Sequence, residues 1–240
     1  MSFFTMEQHF DRYTEEDRWV WNTLFTRQLE NLQDKACSEY LSCLKAMEPV
    51  LHPHDLPNLK VLNAFLAMRT GWQIEIVPGL IPVEKFFALL SQRKFCSSTW
   101  VRSRQQLDYL EEPDMFHDIF GHIPLLLNED YRRFMEWFGV LGCAATTSER
   151  VIALQRLYWF TIEFGVMQEE GERKVYGAGL CSSFKEASRA LQPEIPVVAY
   201  DRESVMQRPF RNDVVQETYV EIRSFRQMFE SVEKILVKAV

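Results

Sequence analysis

The segment Glu112-Pro113-Asp114-Met115-Phe116-His117-Asp118-Ile119-Phe120-Gly121-His122-Ile123-Pro124 sets two histidines five residues apart between signals that start and stop a helix. Pro113 suits a first helical position and Asp114 suits the positive end of the helix dipole, while Gly121 and Pro124 predict the end of the helix. On a straight helix a five-residue separation turns by about 140°, so the imidazoles converge only if the helix breaks near Gly121. The spacing differs from HExxH, where i, i+4 aligns two zinc ligands with a Glu between them, and so argues against a zinc protease arrangement.

A third candidate ligand stands in Tyr158-Trp159-Phe160-Thr161-Ile162-Glu163-Phe164-Gly165, where one carboxylate interrupts an apolar and aromatic run. Thr146 and Glu149 have capping-box spacing, which predicts one long helix over 147–166 with Trp159 and Glu163 a turn apart. A buried Glu163 needs a cation, a metal or a proton. His117, His122 and Glu163 together make the donor set of a facial triad, which holds Fe(II) and leaves positions open for oxygen and substrate. The same residues are compatible with two core histidines and a Glu163 paired to Arg150 or Arg156.

Outward from these segments, residues 15–47 carry a helical pattern until Pro49, Pro53 and Pro57 break it, and 59–68 reads as a helix ending near Gly71. Residues 73–77 alternate like a strand, 83–93 predicts a helix, and 95–102 a second strand. Helices are expected over 129–138 and 224–237, with a strand over 214–220. No repeat or flexible linker divides the chain, so one domain over 1–240 is expected, α+β and mostly α, with a few short strands.

Hydrophobic residues make up 47% and aromatics 13%, which excludes a disordered chain and predicts an aromatic-rich core. A net charge of -7 gives no electrostatic reason for binding nucleic acid or an anionic membrane. Five cysteines without a CxxC pair predict reduced thiols, and no apolar run is long enough for a bilayer. The N-terminus lacks the basic and apolar regions of a secretory signal, so a cytoplasmic location is expected.

EEPDMFHDIFGHIPLL (Glu111 to Leu126), RLYWFTIEFGV (Arg156 to Val166) and VYGAGLCSSFKE (Val175 to Glu186) resemble, in order and spacing, the signature blocks of the pterin-dependent aromatic amino acid hydroxylases. Weaker similarity runs from about Tyr13 to Phe225. The resemblance implies a mostly helical catalytic domain around a mononuclear iron, with His117, His122 and Glu163 as ligands and catalytic centre. It also implies a monooxygenase that uses dioxygen and a tetrahydropterin, with phenylalanine as substrate in preference to tyrosine or tryptophan. Arg102 matches the residue that receives the substrate carboxylate, with Asp114 to orient it. Trp159, Phe164 and Ser182 match substrate-site residues, and Glu186 a glutamate near the reaction centre. Gly79, Leu80, Ile81 and Phe86 match the pterin contacts. The chain resembles the compact bacterial members, which lack a regulatory domain and an oligomerisation helix, so a monomer is implied. Asn212 departs from the aliphatic residue common there in phenylalanine hydroxylases. A zinc hydrolase and a non-catalytic amino acid binding protein are the rival readings.

Overall fold

The computed structural model describes residues 6–108, 110–211 and 214–237. Helix α1 (Glu15–Leu32) begins with a capping box, Thr14 accepting the Asp17 amide while the Asp17 carboxylate accepts the Thr14 N–H. Its inner face is Val20, Trp21, Leu24, Phe25 and Gln28, whereas Trp19 and Leu29 point outward at 42% and 37% exposure. The helical pattern over 15–47 is divided, because at Ala36 the chain leaves the helix to bridge Val175, and α2 (Ser38–Ala46) starts afresh. Asn58 caps the Lys60 and Val61 amides of α3 (Leu59–Thr70), which ends on Gly71 at φ 74°, the expected glycine stop.

β1 (Gln73–Ile76), α4 (Val83–Ser91) and β2 (Lys94–Ser97) form a crossover unit with the two strands parallel. The strand expected over 95–102 stops at Ser97. Beyond it the Arg102 amide donates to the Asp114 carboxylate and the Trp100 carbonyl accepts the Met115 amide, so these groups serve the histidine segment instead of a sheet. α5 (Glu129–Cys143) crosses α4 at Gly139 and Gly142, where any Cβ would overlap Leu90, Ser91 or the Phe87 ring.

α6 (Ser148–Tyr158) is capped by Thr147, whose hydroxyl accepts the Arg150 amide, and not by Thr146. The helix expected to reach Val166 loses α geometry after Tyr158, and the chain enters β3 (Gly165–Glu169) within seven residues. β3 turns into β4 (Glu172–Val175) through Glu170 at φ 50° and Gly171 at φ 88°, the two positive angles of a primed hairpin turn. The short helices α7 (Ala178–Cys181) and α8 (Phe184–Ala190), strand β5 (Val197–Ala199) and helix α9 (Arg202–Gln207) follow. The strand expected over 214–220 is displaced to β6 (Tyr219–Ile222), since Val214 and Val215 are exposed while Tyr219 and Val220 are buried between β3 and β5. The sheet order is β4-β3-β6-β5, with β3·β6 and β5·β6 parallel and β3·β4 antiparallel, and α10 (Phe225–Val237) closes the core.

The architecture is α+β and mostly helical, as the pattern predicts, around one continuous aromatic-rich core. All five cysteines are free thiols. Among the described residues no helix is long and apolar enough to cross a membrane.

Candidate metal centre

The backbone solves the five-residue spacing without breaking the helix. From Met115 the chain makes one α turn and then widens into a π-helical turn over His117–His122, in which hydrogen bonds run from i to i+5 and residues five apart come to the same side. The Nε2 atoms of His117 and His122 come within 3.2 Å. The turn ends at His122 and a 3-10 turn follows over Pro124–Leu127, so the stop expected between Gly121 and Pro124 is found, although Gly121 itself is no break. Gly121 allows α7 to approach, since a Cβ there would stand 2.9 Å from the Ala178 carbonyl. Pro113 lies outside the helix, and Asp114 acts as its cap, Oδ1 accepting the His117 amide at 3.0 Å.

The second segment does the same. Trp159–Glu163 is a π-turn ending in the Phe164 amide to Trp159 carbonyl bond of 3.0 Å, and it delivers Glu163 to the histidines. Glu163 Oε1 is 3.1 Å from His122 Nε2, and Oε2 is 3.6 Å from His117 Nε2. One ligand atom from each of the three residues lies within 4.8 Å of the other two. The arginine alternatives fall away: Arg156 donates to the Met206 and Gln207 carbonyls, and Arg150 is exposed.

Burial pushes the Glu163 carboxyl up, but His122 and His117 outweigh it and hold the group well below the usual carboxylate range. Burial lowers both imidazoles. Glu163 outweighs that for His117, which is raised, and not for His122, which stays lowered. Behind the cluster, Ser182 Oγ lies 2.9 Å from His117 Nδ1 and donates to the Ala178 carbonyl at 2.7 Å. Ser182 therefore accepts from the Nδ1 hydrogen, which leaves the lone pair of the neutral ring on Nε2. His122 Nδ1 is buried with no partner among the described residues, and the ring of His122 is packed by Phe95 at 4.6 Å. Two imidazole nitrogens and one carboxylate with an ordered outer layer fit a divalent iron.

The cluster faces a cavity of about 310 Å³ walled by aromatic and aliphatic side chains. Gly79, Leu80, Ile81, Phe86 and Trp159 line it together with His117, His122 and Glu163. Leu80 stands 71% exposed at the rim. Arg102, Asp114, Phe164 and Ser182 are set one layer back. Arg102 grips Asp114 through Nε at 2.9 Å and Nη2 at 2.8 Å, Phe164 packs on Trp159 at 4.6 Å, and Ser182 supports His117. Glu186 is not among the lining residues and accepts from the Tyr219 hydroxyl at 3.3 Å. Asn212 lies outside the described residues.

Several cavity residues escaped the reading of the sequence. Asp118 lines it half-buried, desolvation pushing its carboxyl up to about 7, with Oδ2 accepting the Ser98 amide at 2.9 Å. Its position next to His117 was the available signal. Tyr158 stacks near His122, and Phe210 stacks on Trp159 at 4.6 Å and 21°. Nothing local in the sequence marks Phe210, which arrives from a loop 51 residues later. A wider depression of about 500 Å³ beside α9 and α10 is polar, and its charges largely pair with each other, Arg202 with Glu203 and Arg226 with Glu230.

The model of the family described as biopterin-dependent aromatic amino acid hydroxylase matches residues 8–238. The chain is 42% identical over 229 residues to a phenylalanine-4-hydroxylase of Ralstonia nicotianae, covering 95% of this chain and 72% of that protein. To the phenylalanine-4-hydroxylase of Pseudomonas aeruginosa it is 40% identical over 232 residues, 96% of this chain and 87% of the relative. A crystal structure of Chromobacterium violaceum phenylalanine hydroxylase with bound iron(III) and 7,8-dihydrobiopterin superposes with a TM-score of 0.92 at 40% identity, covering 98% of this chain and 86% of that one.

Proposed function

The chain belongs to the biopterin-dependent aromatic amino acid hydroxylases, and from that membership we propose that it is a phenylalanine 4-monooxygenase, converting L-phenylalanine to L-tyrosine with dioxygen and a tetrahydropterin. The observation that carries this reading is the convergence of His117, His122 and Glu163 at the wall of an aromatic cavity, in a chain about 40% identical to phenylalanine hydroxylases over most of their length.

His117, His122 and Glu163 hold the iron. Bound there with the reduced pterin, iron supplies the activation of dioxygen and the delivery of one oxygen atom to the ring. The protein does the rest by placement. Ser182 fixes the tautomer of His117, so Nε2 presents a lone pair. Asp114 joins two tasks, since one carboxylate holds both the His117 amide and the Arg102 guanidinium. Arg102 Nη1, which Asp114 does not use, receives the substrate carboxylate, and Trp159, backed by Phe164, walls the ring pocket. Gly79, Leu80 and Ile81 offer backbone to the pterin edge, and Phe86 offers a ring face. The aromatic lining excludes water and orients the ring, and no side chain is required as an obligatory general base.

The described residues act as one catalytic domain, and a monomeric, cytoplasmic enzyme is the state carried over from the compact bacterial members that the chain resembles. The test is product analysis with Fe(II), a tetrahydropterin and each aromatic amino acid in turn. Tyrosine from phenylalanine as the main product is expected. Preferred turnover of tyrosine or tryptophan moves the substrate assignment, and absence of any hydroxylated product overturns the reading.

A further inference from the structure

We infer that Gln216 is a positioning residue for the substrate ring, acting through Trp159; this rests on the function proposed above. The Trp159 indole is held by stacking on one side and by a hydrogen bond at its edge. Phe210 lies nearly parallel to it at 4.6 Å and Phe164 packs against it at the same distance, tilted by 43°. Stacking resists tilting of a ring, but it leaves the indole free to swivel, because the outer side-chain torsion of Trp is broad. The bond from Trp159 Nε1–H to Gln216 Oε1, 2.7 Å long, removes that freedom.

Gln216 is itself fixed. Its Nε2 donates to the Thr218 carbonyl at 3.3 Å, so the amide oxygen is the end that faces the indole, and its own backbone carbonyl accepts from Arg189 Nε at 3.5 Å. Trp159 lines the cavity from the same π-turn that carries Glu163. Gln216 therefore decides which edge of the indole meets the substrate ring, from 57 residues away in the chain. A wall that touches substrate equally before and during reaction changes KM more than kcat.

The experiment compares wild type with Gln216→Leu, which removes the acceptor, and Gln216→Glu, which keeps an acceptor and loses the donor. The Trp159 indole N–H resonance, assigned by its disappearance in Trp159→Phe, is read by NMR on the metal-free protein. KM and kcat for phenylalanine are measured on the iron-loaded enzyme. In Gln216→Leu the resonance should move upfield and KM should rise about three- to tenfold with kcat within about twofold, the size of one lost hydrogen bond. Gln216→Glu keeps the acceptor but turns a carboxylate oxygen toward the Thr218 carbonyl, so its resonance should lie nearer wild type than that of Gln216→Leu, with KM between the two. An indole resonance unmoved in Gln216→Leu overturns the inference, as does a moved resonance with unchanged KM. Failure of the functional reading gives a different result: wild type makes no tyrosine while the indole resonance still responds to Gln216→Leu.

Discussion

Glu163 carries two loads that can be separated by one substitution. In the proposed function it is the negatively charged ligand of the iron, and its carboxylate is also the neighbour that raises the His117 imidazole. Glu163→Gln keeps the shape and one carbonyl acceptor but loses the charge, so the protein should fold and bind almost no iron, with hydroxylation abolished; full iron occupancy by metal analysis would contradict the ligand assignment. Arg102 also has two loads. Its Nε and Nη2 satisfy the fully buried Asp114, which in turn holds the first histidine. Arg102→Lys keeps the charge and cannot make the paired bonds. A lost charge-assisted hydrogen bond costs about 1.5–3 kcal/mol, so stability in urea should fall by roughly that amount and KM for phenylalanine should rise about ten- to hundredfold. If only KM moves, Asp114 does not depend on Arg102 for its burial.

The elements that carry the candidate ligands are two π-turns, and they show where reading a sequence stops. His117, His122 and Glu163 were legible as residues, because a carboxylate in an apolar run and two histidines beside a helix start are local facts. The geometry joining them was not. Sequence periodicity assumes about 100° per residue, so the spacing pointed to a break at Gly121, whereas the backbone widened and carried the turn through to His122. Likewise the apolar run through Glu163 is equally compatible with a helix and with the strand that begins at Gly165. The glycines around it report the close packing that decides the matter. At Gly177 a Cβ would overlap the Glu163 carbonyl and the Gly165 amide, so the π-turn and the β3 start fit only against bare backbone. Gly177→Ala should destabilise the protein by about 1–3 kcal/mol and weaken iron binding in parallel, although residue 177 touches no ligand atom. Circular dichroism melting with metal titration checks both, and loss of stability with iron affinity intact would uncouple Gly177 from Glu163.

Across the whole molecule, the core is continuous from α1 to α10, and the site does not stand apart from it. Within the cluster Glu163 meets both imidazoles and Ser182 meets His117, while His122 Nδ1 has no partner among the described residues. Such a core does not need iron in order to fold, unlike a small zinc-dependent domain whose ligands are its core. Iron should therefore act on stability by mass action on an already folded chain, adding about 2.7 kcal/mol at a free concentration one hundred times its Kd. For a domain of this size that corresponds to a rise in Tm of roughly 5–11 °C. Chelator-treated protein should thus keep its far-ultraviolet circular dichroism, melt cooperatively, and gain this increment on anaerobic addition of Fe(II), while Glu163→Gln should melt at one temperature with or without the metal. Loss of secondary structure on chelation would mean that the cluster is a folding element, and an increment retained in Glu163→Gln would place the iron elsewhere.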